Sequence, residues 1–157
     1  MAIKFIYTLF LALIIALFVG FGIDAFYPEP KTPQYPVELQ SFKETCSATP
    51  EQKLAQEKYD QESRVYQETM KPYNRNVSII SLIAAILILV LSLTLLAKIK
   101  MIADGILLGG VFTTLYSIAR GLMSESSQFR FVIITIGLII ALILGYIKFI
   151  RPEDEQA

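Results

Sequence analysis

Few side chains in this sequence could carry out catalysis or hold a metal ion. The chain of 157 residues contains no His and a single Cys, Cys46. Acid–base catalysis most often uses His, and zinc sites are built from His, Cys and carboxylate ligands. No glycine-rich phosphate loop follows a strand-like run, and no nucleophile stands beside a base. We therefore expect a protein without enzymatic activity, cofactor or metal site, in which Cys46 is incidental or bridges two subunits.

Two charged residues that bracket an apolar run are the candidates for a polar site. Asp104 and Arg120 are sixteen positions apart. On a helix this is roughly 24 Å, so the two side chains cannot pair with each other. Asp in the first turn and Arg in the last is the arrangement that the helix dipole favours, with both residues as interface anchors. The alternative is that Asp104 and Arg120 from neighbouring copies line a polar path through the membrane. Its wall would be formed by the intervening hydroxyl groups, those of Thr113, Thr114, Tyr116 and Ser117.

The elements that position these residues are long apolar runs. Hydrophobic residues make up 54% of the chain, and the mean hydropathy is +0.54. Stretches free of charged residues cover 5–23, 76–97, 105–119 and 131–147. A helix needs about 20 residues to cross a bilayer, so the two shorter runs require their flanking charges at the interface. The sequence predicts an all-α polytopic membrane protein with transmembrane helices at 1–23, 73–97, 101–123 and 129–150.

The long first loop, residues 24–72, is predicted to stand outside the membrane. Its first part, 24–49, contains four closely spaced prolines and should be extended, since proline disfavours helix. Thr49 and Pro50 are typical of a helix start, and we expect a charged helix over about 50–71 that ends or kinks at Pro72. If the kink is mild, this helix continues into the second span as a stalk. The helix carries a line of tyrosines seven residues apart that could contact the extended segment, another copy or the membrane surface: Tyr59, Tyr66 and Tyr73. A polar tail, 151–157, closes the chain.

Small residues recur every fourth position in three of the four spans. The third span has Gly105, Gly109, Thr113, Ser117 and Gly121; the first has Ala12, Ala16 and Gly20; the fourth has Gly137, Ala141 and Gly145. Positions i and i+4 share a helix face, and small residues allow the close backbone approach by which helices associate in lipid. The second span shows no such row, so we expect it to be the lipid-facing wall.

These patterns favour a structural role over a catalytic one. The predicted function is self-association into a homo-oligomeric membrane assembly, through the small-residue faces and the first loop, in contact with membrane lipid. One alternative is a channel or transporter subunit with the third span lining a polar path. Another is an accessory subunit that binds an unidentified protein through residues 24–72. The formal net charge is zero, which argues against nucleic acid as a partner.

The distribution of basic residues predicts the orientation in the membrane. Each side holds five Lys or Arg near the span ends, but one set of five occupies much shorter segments. Because the positive-inside bias acts in short loops, we expect a multi-pass protein of the plasma membrane with both termini in the cytoplasm.

Overall fold

The computed structural model describes residues 2–37, 50–94 and 99–147 of the chain. These residues form four helices: α1 (Ala2–Phe26), α2 (Pro50–Thr94), α3 (Lys100–Leu122) and α4 (Ser127–Gly145). All four are long and apolar enough to cross a membrane. The predicted all-α fold with four spans is confirmed, whereas Cys46, Thr49 and the tail at 151–157 lie outside the described residues.

Helix α2 continues through Pro72 into the second span, as expected if the proline disturbs the helix only mildly. The expected loop helix (50–71) and second span (73–97) are parts of one helix of 45 residues. Proline has no backbone N–H, so the carbonyl of Glu68 loses its helical partner. Glu68 and Pro72 are both exposed, so water can hydrate this carbonyl and the helix can continue. We call residues 50–71 the stalk and the irregular segment 27–37, which follows α1, the strap.

Helix α3 lies at the centre of the bundle and packs against the other three helices. Gly105 and Gly109 of α3 lie against Leu11 and Ile15 of α1, in the same order along both helices. Helices α1 and α3 are therefore parallel. Helices α2 and α4 are joined to α3 by short connections and run antiparallel to it. The backbone of α3 is therefore contacted by other helices of the same chain on several sides.

Serine hydroxyls hold the seam between α2 and α3. Ser78 Oγ donates a hydrogen bond to the carbonyl of Ser117 at 2.8 Å, and Ser117 Oγ donates to the carbonyl of Ser78 at 2.7 Å. Further along the seam, Ser92 Oγ donates to the carbonyl of Ala103 at 2.6 Å. Such bonds and close packing replace the hydrophobic effect, which does not drive helices together in lipid. The expectation that span 2 is a lipid-facing wall is wrong, since its serine face is buried.

The row of small residues on α3 is shared between two neighbouring helices. Each residue of an α-helix turns by about 100°, so a step of four residues overshoots a full turn by roughly 40°. Over the four steps from Gly105 to Gly121 this drift reaches about 160°. Gly105 and Gly109 accordingly face α1, whereas Ser117 and Gly121 face Ser78 of α2. All five residues of the row are buried within the chain, instead of presenting one common face to another copy.

Helix α4 is peripheral, and among the described residues it packs on α3 alone. A Cβ built at Gly137 would lie 2.7 Å from Cδ1 of Ile118 on α3. Towards the far end of α4 the packing stops: Ala141 is exposed, and no described atom lies within 4 Å of a Cβ built at Gly145. Among the described residues, the small residues of α4 thus pack against α3 at Gly137 but not at Gly145.

Candidate functional site

Helices α1 and α3 touch closely at one end and separate towards the other. A Cβ built at Gly105 would lie 2.7 Å from Cδ2 of Leu11, and one at Gly109 would lie 2.9 Å from Cβ of Ile15. Ala12, between these two contacts, is completely buried. At Gly20, nearer the stalk, no described atom lies within 4 Å of a built Cβ. The separation leaves a groove between the two helices.

The groove is a cavity of about 540 Å³ with mainly apolar walls. Its lining includes Ala16, Leu17, Gly20 and Phe21 of α1 together with Phe112 and Tyr116 of α3. Ala16 and Gly20, predicted as helix-packing residues, leave space here instead of seating another helix. Leu17 and Phe21 are 52% and 69% exposed, so the groove is open at its side. Its volume lies within the range of about 300–1,000 Å³ found for small-molecule sites.

Arg120 closes the end of the groove that lies nearest the stalk. Its Nε donates to the hydroxyl of Tyr116 at 3.2 Å, and its Nη1 donates to Oδ1 of Asn74 at 2.9 Å. Its Nη2 lies 3.5 Å from Oε2 of Glu29 in the strap. The guanidinium carbon is 5.7 Å from the ring centroids of both Tyr73 and Tyr116. Aromatic rings attract a cation at this distance. Contacts from α2, from the strap and from its own helix thus hold the arginine in place.

The strap is fixed to α2 beside this arginine. The rings of Tyr27 and Tyr73 stack with centroids 5.2 Å apart and planes 6° apart. The Tyr73 hydroxyl donates to the carbonyl of Tyr27 at 3.3 Å, and Nδ2 of Asn76 donates to the Tyr27 hydroxyl at 3.0 Å. These contacts hold Glu29, two residues further along the strap, over the end of the groove.

A second carboxylate lies at the same end. Asp24, in the last turn of α1, lines the groove with Glu29 and Arg120. Its side chain is exposed, and no ion pair or hydrogen bond within the described part of the chain involves it. Two carboxylates and one guanidinium leave an excess of one negative charge at this end of the groove. We call Asp24, Glu29 and Arg120 the charged end.

The hydroxyl groups predicted to line a polar path are satisfied within the helices. Thr113 donates to the carbonyl of Gly109 at 2.8 Å, and Thr114 to that of Gly110 at 2.9 Å. Ser117 is bound to α2, as described above. Of the predicted wall, Tyr116 alone reaches the groove. Asp104 is half-buried at the opposite end of α3 and lines no part of the groove.

The three evenly spaced tyrosines of α2 all face the strap. Tyr59 meets Tyr35 edge to face, with ring centroids 5.3 Å apart. Tyr66 lines a cleft shared with Pro30 and Pro33 of the strap. Tyr73 stacks on Tyr27. The stalk thus has a partner in its own chain.

Sequence reasoning missed the residues that complete the charged end. Asn74 and Asn76, polar side chains at the very start of an apolar run, were one available signal. Asp24 and Glu29 follow the first span directly, but no local spacing connects them with Arg120. Apart from Tyr116, the partners of Arg120 come from distant segments, with Asn74 46 positions away.

Comparison with protein-family models, with curated proteins and with solved structures finds no match for this chain. Among the described residues, no group of three His, Cys, Asp or Glu side chains is placed to hold a metal ion. The functional argument therefore rests on the groove between α1 and α3 and on its charged end.

Proposed function

We propose that the protein is a non-enzymatic, multi-pass membrane protein that binds an amphiphilic molecule in the groove between α1 and α3. The apolar tail would lie along Ala16 and Gly20, and the polar head would meet the charged end. The observation that carries this proposal is the continuity of an apolar, side-open cavity with a cluster of charged groups at one end.

The bilayer itself supplies a reason for the groove to be occupied. A gap lined by apolar atoms forfeits dispersion contacts when it is empty. Leu17 and Phe21, which border the groove, are exposed where the spans cross the membrane, so a lipid tail can enter from the side. The tail gains little specificity there, because the surrounding lipid is as apolar as the groove. Selection among amphiphiles must come from the charged end.

Two glycines of α1 provide a matched test. Neither Gly20 nor Gly22 has a described atom within 4 Å of a built Cβ, but only Gly20 lines the groove. Gly20→Leu should fill the groove without a clash, whereas Gly22→Leu adds the same side chain elsewhere. In native mass spectrometry from mild detergent, we expect the wild type and Gly22→Leu to retain a lipid-mass adduct that Gly20→Leu loses. Equal retention by all three proteins would contradict the proposal.

The location proposed for the stalk and strap is the outer face of the plasma membrane, with both termini in the cytoplasm. The support is the density of basic residues in the short segments on the opposite side. Cys46 is the only cysteine of the chain and lies in the loop between the first two spans. A membrane-impermeant maleimide should therefore label intact cells at this residue. Labelling only after permeabilisation would show that the protein has the opposite orientation.

A second candidate function is assembly into a homo-oligomer or with another membrane protein. The specific support is on α4, where Ala141 is exposed and no described atom packs within 4 Å of a Cβ built at Gly145, four residues later. The stalk and strap, in residues 24–72, offer a further surface to an unidentified protein. Particle mass in mild detergent tests this candidate: Ala141→Leu should reduce an oligomer to monomers. A wild-type monomer would exclude self-association.

A further inference from the structure

We infer that the head recognised by the groove is an ammonium group, so that the ligand is a positively charged amphiphile with one long apolar tail. This inference rests on the proposed binding of an amphiphile in the groove and names its chemical class. It is carried by the placement of Asp24, Glu29 and Arg120 around one end of an apolar cavity.

The charge balance at this end favours a cation. Arg120 is already opposed by Glu29 at 3.5 Å, and its guanidinium carbon lies 5.7 Å from the centroids of two tyrosine rings. Asp24 has no cationic partner within the described residues, and it faces the same cavity. An ammonium head would neutralise this excess negative charge. Complementary charge is the usual means by which such a site selects its ligand.

An anionic head would meet opposition from the same residues. A phosphate or sulfate approaching Arg120 would have to displace Glu29 and lie beside Asp24. Two of the guanidinium nitrogens are also engaged, Nε by Tyr116 and Nη1 by Asn74. Arg120 is therefore better placed to orient Glu29 towards a ligand than to bind the ligand itself.

Aromatic side chains below the charged end suit the carbon atoms next to an ammonium. Phe21 on α1 and Phe112 on α3 line the two walls of the cavity. Unlike Tyr73 and Tyr116, neither ring is paired with Arg120. The face of an aromatic ring attracts a cation within about 6 Å of its centroid. A head entering the groove would thus have rings on both sides and carboxylates at its end.

Three ligands with one tail and different heads test the inference. Hexadecylammonium, hexadecanol and hexadecyl phosphate are added in equal amounts to the full-length protein in mild detergent, and adducts are counted by native mass spectrometry. We expect hexadecylammonium to be retained roughly tenfold over hexadecanol, as a close and partly screened ion pair provides. Hexadecyl phosphate should be retained least. Equal retention of the three, or preference for the phosphate, would overturn the inference.

Variants at the charged end assign the preference to particular residues. Asp24→Asn should remove most of the preference for hexadecylammonium, whereas Asp24→Glu, which keeps the negative charge, should retain it. Asp60→Asn is the matched control, because Asp60 lies on the stalk and accepts from Gln56, away from the groove. An unchanged preference in Asp24→Asn and in Glu29→Gln would contradict the assignment. Glu29→Gln also frees Arg120, so it should increase the retention of hexadecyl phosphate.

The same experiment separates this inference from the proposed function. If Gly20→Leu loses all three ligands but the wild type does not distinguish their heads, the groove binds amphiphiles and the ammonium inference fails. If Gly20→Leu retains every ligand as the wild type does, both fail.

Discussion

The two halves of the contact between α1 and α3 use glycine in opposite ways. In the half away from the stalk, the branched side chains of Leu11 and Ile15 press onto Gly105 and Gly109. In the half near the stalk, Gly20 belongs to α1 and nothing described fills the space over it. The first pair of glycines removes side chains so that helices can touch. Gly20 removes one so that a cavity remains.

The reason for the difference lies in what holds α1 at each level. Near the stalk, Ile23 is buried against Tyr73 and Val77 of α2, with Tyr116 of α3 packed on the same cluster. Helix α1 therefore rests there on aromatic side chains and not on the backbone of α3. The rings act as spacers that keep the two helices apart. A row of small residues in a membrane span can thus indicate either a tight contact or a binding space, depending on the residues opposite.

The largest expected effect comes from adding one methyl group to each kind of glycine. Gly109→Ala should lower the free energy of unfolding by about 1–3 kcal/mol, because its Cβ would lie 2.9 Å from Cβ of Ile15 and a packed site accommodates added volume poorly. Gly20→Ala should raise it by about 0.5–1 kcal/mol, since alanine favours the helix and meets nothing. Unfolding in sodium dodecyl sulfate, followed by circular dichroism, measures both. Changes of the same sign would remove the distinction between the two halves.

A smaller effect should identify the atoms responsible for the tight half. If Ile15 obstructs the new methyl group, Ile15→Ala should destabilise the Gly109→Ala protein less than it destabilises the wild type. We expect a coupling free energy of about 1 kcal/mol, within the range for residues in contact. The double-mutant cycle uses the same unfolding measurement. Strict additivity would mean that the strain of Gly109→Ala is relieved elsewhere.

The smallest effect should come from the serine seam, which belongs to neither half. Ser78→Ala and Ser117→Ala should each lower the free energy of unfolding by about 0.6 kcal/mol, the average for a hydrogen bond between membrane helices. Because the two hydroxyls bond to α2 and α3 alone, lipid retention in the groove should not change. Loss of the retained lipid in either variant would show that the groove depends on the seam.

Much of the fold could be predicted from charge-free runs, because a span needs only length and hydropathy. The place of the second span could also have been read from the sequence. Ser78, Ala85 and Ser92 are seven residues apart, and Leu82 and Leu89 repeat the same interval between them. A repeat of seven with small and apolar residues is typical of a helix seam. A spacing of four residues alone does not reveal this repeat.

The groove could not be predicted in this way. A sequence row shows where side chains are small, but it does not show whether the facing helix is near. That distance depends on the cluster of Ile23, Tyr73 and Tyr116, whose members come from three helices. The charged end depends on the strap, and the strap is positioned by the stacking of Tyr27 on Tyr73. These are long-range contacts without a local periodicity.

Because α2 passes through Pro72 without a break, a small tilt at the base of the stalk moves its far tip by a larger distance. The stalk contains about 22 residues and extends roughly 33 Å from its base. At that base stands Tyr73, which borders the groove and carries the strap. A tilt of about 10° at this pivot would displace the far tip by roughly 6 Å. Small rearrangements at the base of the stalk are therefore magnified at its far tip.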